Sequence, residues 1–219
     1  MKTCIVIPAF NEASRIGPVL EKVCDRWRDV VVVDDGSTDN TSQVVRGFPV
    51  TLLGHVVNLG KGAALKTGCD YALSKDFERI VVMDADGQHD PQIIPKFVKA
   101  LDNADIVFGF RNFDHRMPVT FRLGNLLIDG VLRILYGLPL RDTQSGFRAF
   151  RASVYPRIRW NSSDYSMESE MIARVARHRL RFVEIPIETK YADRYKGTTV
   201  FTGVKIVANI IKWRLVGGV

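Results

Sequence analysis

The sequence predicts a single α/β domain with a mostly parallel sheet covered on both faces. Three observations predict it. Short β-branched apolar runs alternate with helix-like segments through the first half of the chain. The strand runs end in polar residues, as strands do when their carboxyl ends line a ligand crevice. The 219 residues, 46% hydrophobic and 25% charged, suffice for one good core, and no linker or internal repeat divides them.

The elements follow in order. Residues 3–7 read as a buried strand stopped by Pro8, and residues 12–27 as a helix. Residues 30–33 form a second strand ending in Asp34-Asp35-Gly36-Ser37. Ser37 or Thr38 is placed to cap a helix near 39–46. A third strand at 50–53 precedes a helix from about Lys61 to Ser74. A fourth at 80–83 precedes a helix begun by Pro91, and residues 106–108 close the series. The second half is less regular. It carries helices at 118–136, 166–178 and 203–215, with strands at 147–150 and 181–187. Asn11, Asp35, Asn58 and Asp86 all fall at strand ends and are expected to face one crevice.

The segment with most chemistry is Met83-Asp84-Ala85-Asp86-Gly87-Gln88-His89. Asp84 and Asp86 project from one side of an extended backbone, and Gln88 joins them if the backbone stays extended. Asp90 adds a further oxygen. Hard oxygen donors of this kind suit Mg²⁺ or Mn²⁺ rather than zinc and leave positions for phosphate oxygens. Acidic residues here also serve as turn formers and caps. Asp34-Asp35-Gly36-Ser37 has the same double reading, turn and cap or contact to a ribose or base. Asn58-Leu59-Gly60-Lys61-Gly62 opens a helix. It fails the Walker pattern, because Gly54 is one position too far and Gly62 replaces Ser or Thr, and it fails the dinucleotide pattern at Leu65. A helix start bearing Lys61 still suits an anion, or is a turn alone.

Two later segments are apolar helices with narrow polar stripes. Arg122, Asn125, Asp129 and Arg133 mark the first, and Lys205, Asn209 and Lys212, with Trp213 nearby, mark the second. They read as core or homodimer helices, or as helices lying in a membrane interface. Neither is long enough to span. Arg194-Tyr195-Lys196-Gly197-Thr198-Thr199 is a basic loop, either solvated or a lid over a diphosphate.

The net charge of +7 admits a phosphorylated substrate or an anionic membrane surface. No aromatic and basic residues interleave as in a nucleic-acid module, so a nucleic-acid partner is not expected. Cys4, Cys24 and Cys69 form no CxxC pair, and no signal peptide begins the chain. A reducing, cytoplasmic location follows as the expectation.

As an ordered set, these motifs resemble the family 2 glycosyltransferases of GT-A fold, the Rossmann-like nucleotide-diphospho-sugar transferases. Within that family the likeness is to dolichyl-phosphate mannose synthase and related polyprenyl-phosphate sugar transferases. The matching pieces are Ile7-Pro8-Ala9-Phe10-Asn11-Glu12, Val33-Asp34-Asp35-Gly36-Ser37-Thr38-Asp39, Asn58-Leu59-Gly60-Lys61-Gly62 and Asp84-Ala85-Asp86-Gly87-Gln88-His89. Gly109-Phe110-Arg111, Thr143-Gln144-Ser145-Gly146-Phe147-Arg148 and Glu184-Ile185-Pro186-Ile187 complete it.

The resemblance implies an inverting transfer of a hexose from a GDP- or UDP-sugar to a polyprenyl or dolichyl phosphate at the cytoplasmic face of a membrane. Residues 1–110 would form the nucleotide-sugar half and 111–219 the acceptor half, with C-terminal amphipathic interface helices. Pro8, Ala9, Asn11, Glu12, Asp35 and Ala85 would surround the nucleotide. Asp84, Asp86 and Gln88 would hold Mg²⁺ or Mn²⁺. Arg111 and Arg122 would bind the acceptor phosphate, Glu170 matches an acidic position after the acceptor loop, and Arg194, with Lys61 and Lys196, would reach the diphosphate. Two departures from the family stand out. Thr199 and Val200 replace the usual Ser and Lys of the late loop. Many members also continue into membrane-spanning helices, so an ending at Val219 reads as a short form or a piece of a longer chain.

Overall fold

The chain folds as one α/β domain around a seven-stranded sheet of order β3-β2-β1-β4-β6-β5-β7. The structure, a computed structural model, describes residues 1–111, 119–188 and 200–216, the side chains of 119–123, 200–202 and 216 excepted. The strands are β1 (Thr3–Ala9), β2 (Val30–Asp34), β3 (Thr51–Gly54), β4 (Arg79–Val82), β5 (Ile106–Arg111), β6 (Arg148–Arg151) and β7 (Phe182–Ile187).

Alternation along each central strand builds two cores. Cys4 and Val6 of β1, Val31 and Val33 of β2, and Ile80 and Val82 of β4 enter one apolar cluster. Their neighbours Ile5, Ile7, Val30, Val32 and Val81 enter the other. Both faces are buried, so the strands are apolar throughout and carry no polar alternation. The second cluster is closed by α1 (Ile16–Cys24), α2 (Thr41–Val45) and α4 (Ile94–Ala100). The first is closed by α3 (Lys61–Ser74), α5 (Val119–Tyr136), α7 (Ser166–Arg177) and α8 (Val200–Val216). The one-turn α6 (Tyr155–Ile158), unforeseen in the sequence, adds Tyr155 and Ile158 to that face.

Several boundaries differ from the sequence reading for local reasons. Helix α1 starts four residues late, because the Glu12 carbonyl takes the Arg15 and Ile16 N–H groups in a separate turn. Ser37 and Thr38 do not cap α2. The Ser37 hydroxyl accepts the Asn11 N–H, the Thr38 N–H goes to Asn11 Oδ1, and Asp39 takes the Thr41 N–H instead. The helix after Pro91 begins as a single 3₁₀ turn, Pro91–Ile93, capped by Asp90 Oδ1 on the Gln92 N–H.

The main topological finding is β6. It lies between β4 and β5 and is antiparallel to both, while the remaining pairs are parallel. The run that reads as the fifth consecutive strand is therefore joined to β4 only through a strand from the second half. Arg148, in β6, is buried and turns inward. Its guanidinium donates to the carbonyls of Thr143 (2.8 Å), Ser145 (3.1 Å) and Glu168 (3.0 Å) and lies over the Phe108 ring. Burial brings its pKa down to about 10. These bonds fix the 143–146 turn and the first turn of α7. Arg148→Leu removes the donors that Arg148 gives to three main-chain carbonyls. Urea unfolding is expected to show a loss of about 3 kcal/mol, and a variant as stable as the parent would contradict this role.

Candidate active site

The carboxyl ends of β1, β2 and β4 open into a cavity of about 400 Å³ lined by residues of both halves of the chain. β1 delivers Pro8 and Ala9, followed by Phe10 and Glu12. Asn11 does not line the cavity. At φ +54 it turns its side chain to the Thr38 N–H, so its predicted nucleotide contact is replaced by a loop brace. Glu12 is buried and its carboxylate meets Arg15 at 2.6 Å.

β2 delivers two aspartates with different work. Asp34 is the turn former: it accepts the Ser37 N–H at 2.9 Å and the Ser42 hydroxyl. Asp35 is 2% exposed and lines the cavity. It accepts the Leu59 and Gly60 N–H groups at 3.0 and 2.8 Å and meets His55 Nδ1 at 2.7 Å. It thereby fixes the turn that opens α3. That turn needs Gly60, which sits at φ +99 with a Cβ position 2.5 Å from the Ser163 carbonyl oxygen.

β4 delivers Asp84, Ala85, Asp86 and Gln88, all in the cavity wall. The backbone does not stay extended. Gly87 at φ +72 makes a turn, and the Gln88 N–H donates to Asp86 Oδ1 at 3.0 Å. Gln88 therefore reaches the cavity through a turn and not by strand alternation. Asp90, spent on its cap, is not among the lining residues.

Lys61, the first residue of α3, brings its ammonium to 2.7 Å from Asp84 Oδ1 and 3.0 Å from Glu168 Oε1. Burial pushes Asp84 up, but the Lys61 charge outweighs it and holds the carboxyl below the usual range. Asp86 has no such partner, so burial and the Asp84 charge push it up to about 6. Burial pulls His89, also in the wall, below the usual imidazole range. The donors fit a hard divalent cation: two carboxylates and a carboxamide share one wall, and an ammonium already rests on one of them. Among the described residues no group of three or more His, Cys, Asp or Glu gathers closely enough to hold an ion alone. An ion here would draw further oxygens from a ligand.

The second half supplies Arg111, Asn125, Gln144, Gly146, Tyr165 and Glu168. Arg111 ends β5 and pairs with the buried Asp142 through Nε (2.7 Å) and a second guanidinium nitrogen (2.9 Å). Glu170 is not in the wall. It accepts the N–H groups of Asn161 and Ser162 and pairs with Arg174. The acidic residue facing the cavity is Glu168, 3% exposed, whose Oε2 is buried without a hydrogen-bond partner. The two glutamates are two positions apart on a helix, so they point to opposite sides. Arg174, four residues after Glu170, is the sequence feature that points to this internal pair. Arg122 lies in α5, but its side chain is outside the described residues. Arg194 and Lys196 also lie outside them.

The middle of the α5 polar stripe faces inward, while Arg133 is exposed. Asn125 lines the cavity, and Asp129 Oδ1 takes the Thr143 N–H at 3.1 Å and its hydroxyl at 2.5 Å. The outward face carries Leu126, Leu127 and Ile134, exposed by 50%, 54% and 82%. On α8, Asn209 and Lys205 bond Ser166 and Asp164, while Val204, Ile211 and Leu215 are exposed. Among the described residues no helix is long and apolar enough to cross a membrane.

The sequence profile described as Glycosyl transferase family 2 matches residues 4–159. An uncharacterized protein of Methanocaldococcus jannaschii is 36% identical, with 96% of this chain and 91% of that one covered. An undecaprenyl-phosphate mannosyltransferase of Micrococcus luteus is 31% identical over 98% of this chain and 95% of its own. Among solved structures, glucosyl-3-phosphoglycerate synthase from Mycobacterium tuberculosis, crystallised with Mn²⁺, uridine diphosphate and glucosyl-3-phosphoglycerate, superimposes with a TM-score of 0.77. The match covers 99% of this chain and 79% of that chain at 18% identity, so what the two share is the fold.

Asp129 generates a pH prediction. Burial, with the Asp142 charge adding to it and the Thr143 bonds opposing it, pushes this carboxyl up to about 7, from an ordinary value of 3.8. The folded state then holds the extra proton between those values, so stability falls as pH rises from about 4 to about 7 and levels off above. Asp129→Asn keeps an oxygen for Thr143 and removes the charge. Urea unfolding at pH 8 is expected to show a gain on the order of 1–3 kcal/mol and a flatter pH profile. Asp86 has the same sign, so some slope remains. A variant destabilised at pH 8 with an unchanged profile would refute this.

Proposed function

The chain belongs to glycosyl transferase family 2, as its motifs implied, and from that premise we propose that it moves a hexose from a nucleotide-sugar to a polyprenyl phosphate, with inversion. One observation carries the reading. A single cavity gathers the Asp84–Asp86 wall and Asn125, and the residues after Asn125, Leu126 and Leu127, face outward. A phosphate head enters such a site while its apolar tail follows the exposed faces of α5 and α8. The name of the mannosyltransferase relative points the same way. Contact with the lipid would take place at a membrane surface, on its cytoplasmic side.

The donor half, residues 1–110, holds the nucleoside against Pro8, Ala9, Glu12 and Asp35, with Ala85 beside the diphosphate. Asp84, Asp86 and Gln88 would hold Mg²⁺ or Mn²⁺, which when bound neutralises charge on a departing nucleoside diphosphate. Lys61 adds a fixed cation at the same wall. The acceptor phosphate is already anionic at neutral pH, so no strong base is needed. The chain's contribution is positioning and charge stabilisation. Arg111, oriented by Asp142, and Arg122 aim the acceptor oxygen at the anomeric carbon, on the face opposite the leaving group. Arg194 and Lys196 would close on the diphosphate.

The test is a panel of GDP- and UDP-hexoses against a polyprenyl phosphate, with radiolabel extracted into organic solvent. A parallel arm uses a water-soluble phosphorylated acceptor. Label in the organic phase supports the reading; transfer confined to the soluble acceptor overturns the lipid assignment. In the productive pair Asp86→Ala is expected to lower kcat by at least about a hundredfold, and full activity would remove Asp86 from the metal wall. Arg122→Gln is expected to raise the KM for lipid phosphate with the donor KM unchanged. An unaltered acceptor KM would take Arg122 out of the acceptor site.

A further inference from the structure

Two carboxylates of the candidate cavity meet at one ammonium. Lys61 Nζ contacts Asp84 from β4 and Glu168 from α7, and it lies 5.6 Å from the centroid of the Tyr165 ring. Its side chain is 16% exposed. The turn before it is fixed by Asp35 through the Leu59 and Gly60 N–H groups. The turn around Gly146 closes on it from the other side: a Cβ at Gly146 would fall 2.8 Å from the Lys61 nitrogen and 2.4 Å from Asp84 Oδ2. A lysine held this way is part of the wall, unlike a mobile surface charge.

We infer that Lys61 is a tethered counterion that competes with a divalent cation for Asp84, so that the protein takes up the ion together with a nucleoside diphosphate and not before it. The inference rests on the reading of Asp84 and Asp86 as metal ligands. Its physical basis is charge. Asp84 Oδ1 already accepts a full positive charge at 2.7 Å. A divalent ion on the same carboxylate would stand a few ångströms from that ammonium in a poorly solvated pocket, where like charges repel strongly. The Glu168 contact limits how far the ammonium can retreat. A diphosphate changes the balance, because its oxygens give both cations an anionic partner. Metal and nucleotide then strengthen each other's binding, and the coupling is reciprocal. Lys61 is a positioning residue in this account, and its effect is on the order of loading.

The test measures Mn²⁺ binding to the full chain from the free-ion EPR signal, with no nucleotide, with UDP and with GDP. The parent is expected to bind Mn²⁺ weakly alone and more tightly with at least one nucleotide. Lys61→Met is expected to bind Mn²⁺ alone about tenfold or more tightly than the parent, with the nucleotide effect reduced. Lys61→Arg keeps the charge and the parent behaviour. Lys66→Met, a charge removal on the same helix outside the cavity, leaves Mn²⁺ binding unchanged. Removing Lys61 alone leaves Asp84 and Glu168 without their shared cation, which can impair folding. The double variant Lys61→Met/Glu168→Gln relieves that and carries the same expectation. Tight Mn²⁺ binding by the nucleotide-free parent overturns the inference. So does unchanged affinity in both Lys61→Met proteins while the parent shows nucleotide-dependent binding, and in that case the metal reading stands. Absence of Mn²⁺ binding in every protein, with and without nucleotides, overturns the metal reading and the inference together.

Discussion

The guanidinium of Arg148 is spent on main-chain carbonyls, and the shape of the cavity depends on that. Removing a guanidinium from water is unfavourable unless its donors are met in good geometry. Here Thr143, Ser145 and Glu168 supply carbonyl oxygens and Phe108 supplies a ring face. Those partners belong to the turn before β6, to the first turn of α7 and to β5. One buried cation therefore ties the turn carrying Gln144 and Gly146 to the helix carrying Glu168. Gly146 then closes on the Asp84–Lys61 pair with no room for a side chain. The cavity wall of the second half is set against the β4 end by this one group, well below the surface where a ligand would sit.

Electrostatically, the two aspartates of the β4 wall are unequally matched. Asp84 is held in its charged form by Lys61, and Asp86, one residue on, is pushed up by burial and by Asp84 itself. Two carboxyls of the same type and nearly the same sequence context thus differ because an ammonium reaches only one of them. The unmatched acid and the turn at Gly87 make the wall receptive to positive charge without fixing it in advance. Arg111, on the far side, is already paired with Asp142, so its geometry is set before any anion arrives.

Much of this was legible in the residues. The apolar runs located β1, β2, β4 and β5, because burial on both faces leaves an unbroken apolar signature, and the half-buried edge strand β3 was read from its run at 50–53. The polar ends at Asp35, Asn58 and Asp86 did converge, since parallel strands deliver their carboxyl ends to one edge. Other features were not legible, for physical reasons. The placement of β6 is a long-range pairing that no local pattern encodes. Asn11 has a residue type that suits a ligand contact, yet its αL backbone turned it to the Thr38 amide. Glu168 and Glu170 share one motif, and only the direction of α7 separates the one in the wall from the one bracing Asn161 and Ser162. The stripe of α5 was visible as a stripe, but not the side it would face. Asn125 lines the cavity and Asp129 braces Thr143, while Leu126 and Leu127 point away.

The position of β6 also bears on how the chain reaches its native state during synthesis. When residues 1–111 have left the ribosome, β1 through β4 can pair in parallel, but the free edge of β4 has no partner and β5 has nowhere to dock. Both wait for Arg148–Arg151, some forty residues later in the chain. An unpaired β4 edge ending in apolar side chains is the kind of surface that chaperones cover and that neighbouring nascent chains can capture. When β6 arrives it closes that edge and gives β5 its place in one insertion, and the same step brings Arg148 under the cavity. Closure of the β4 edge and placement of Arg148 beneath the cavity are thus one step, which α7 and the edge strand β7 follow.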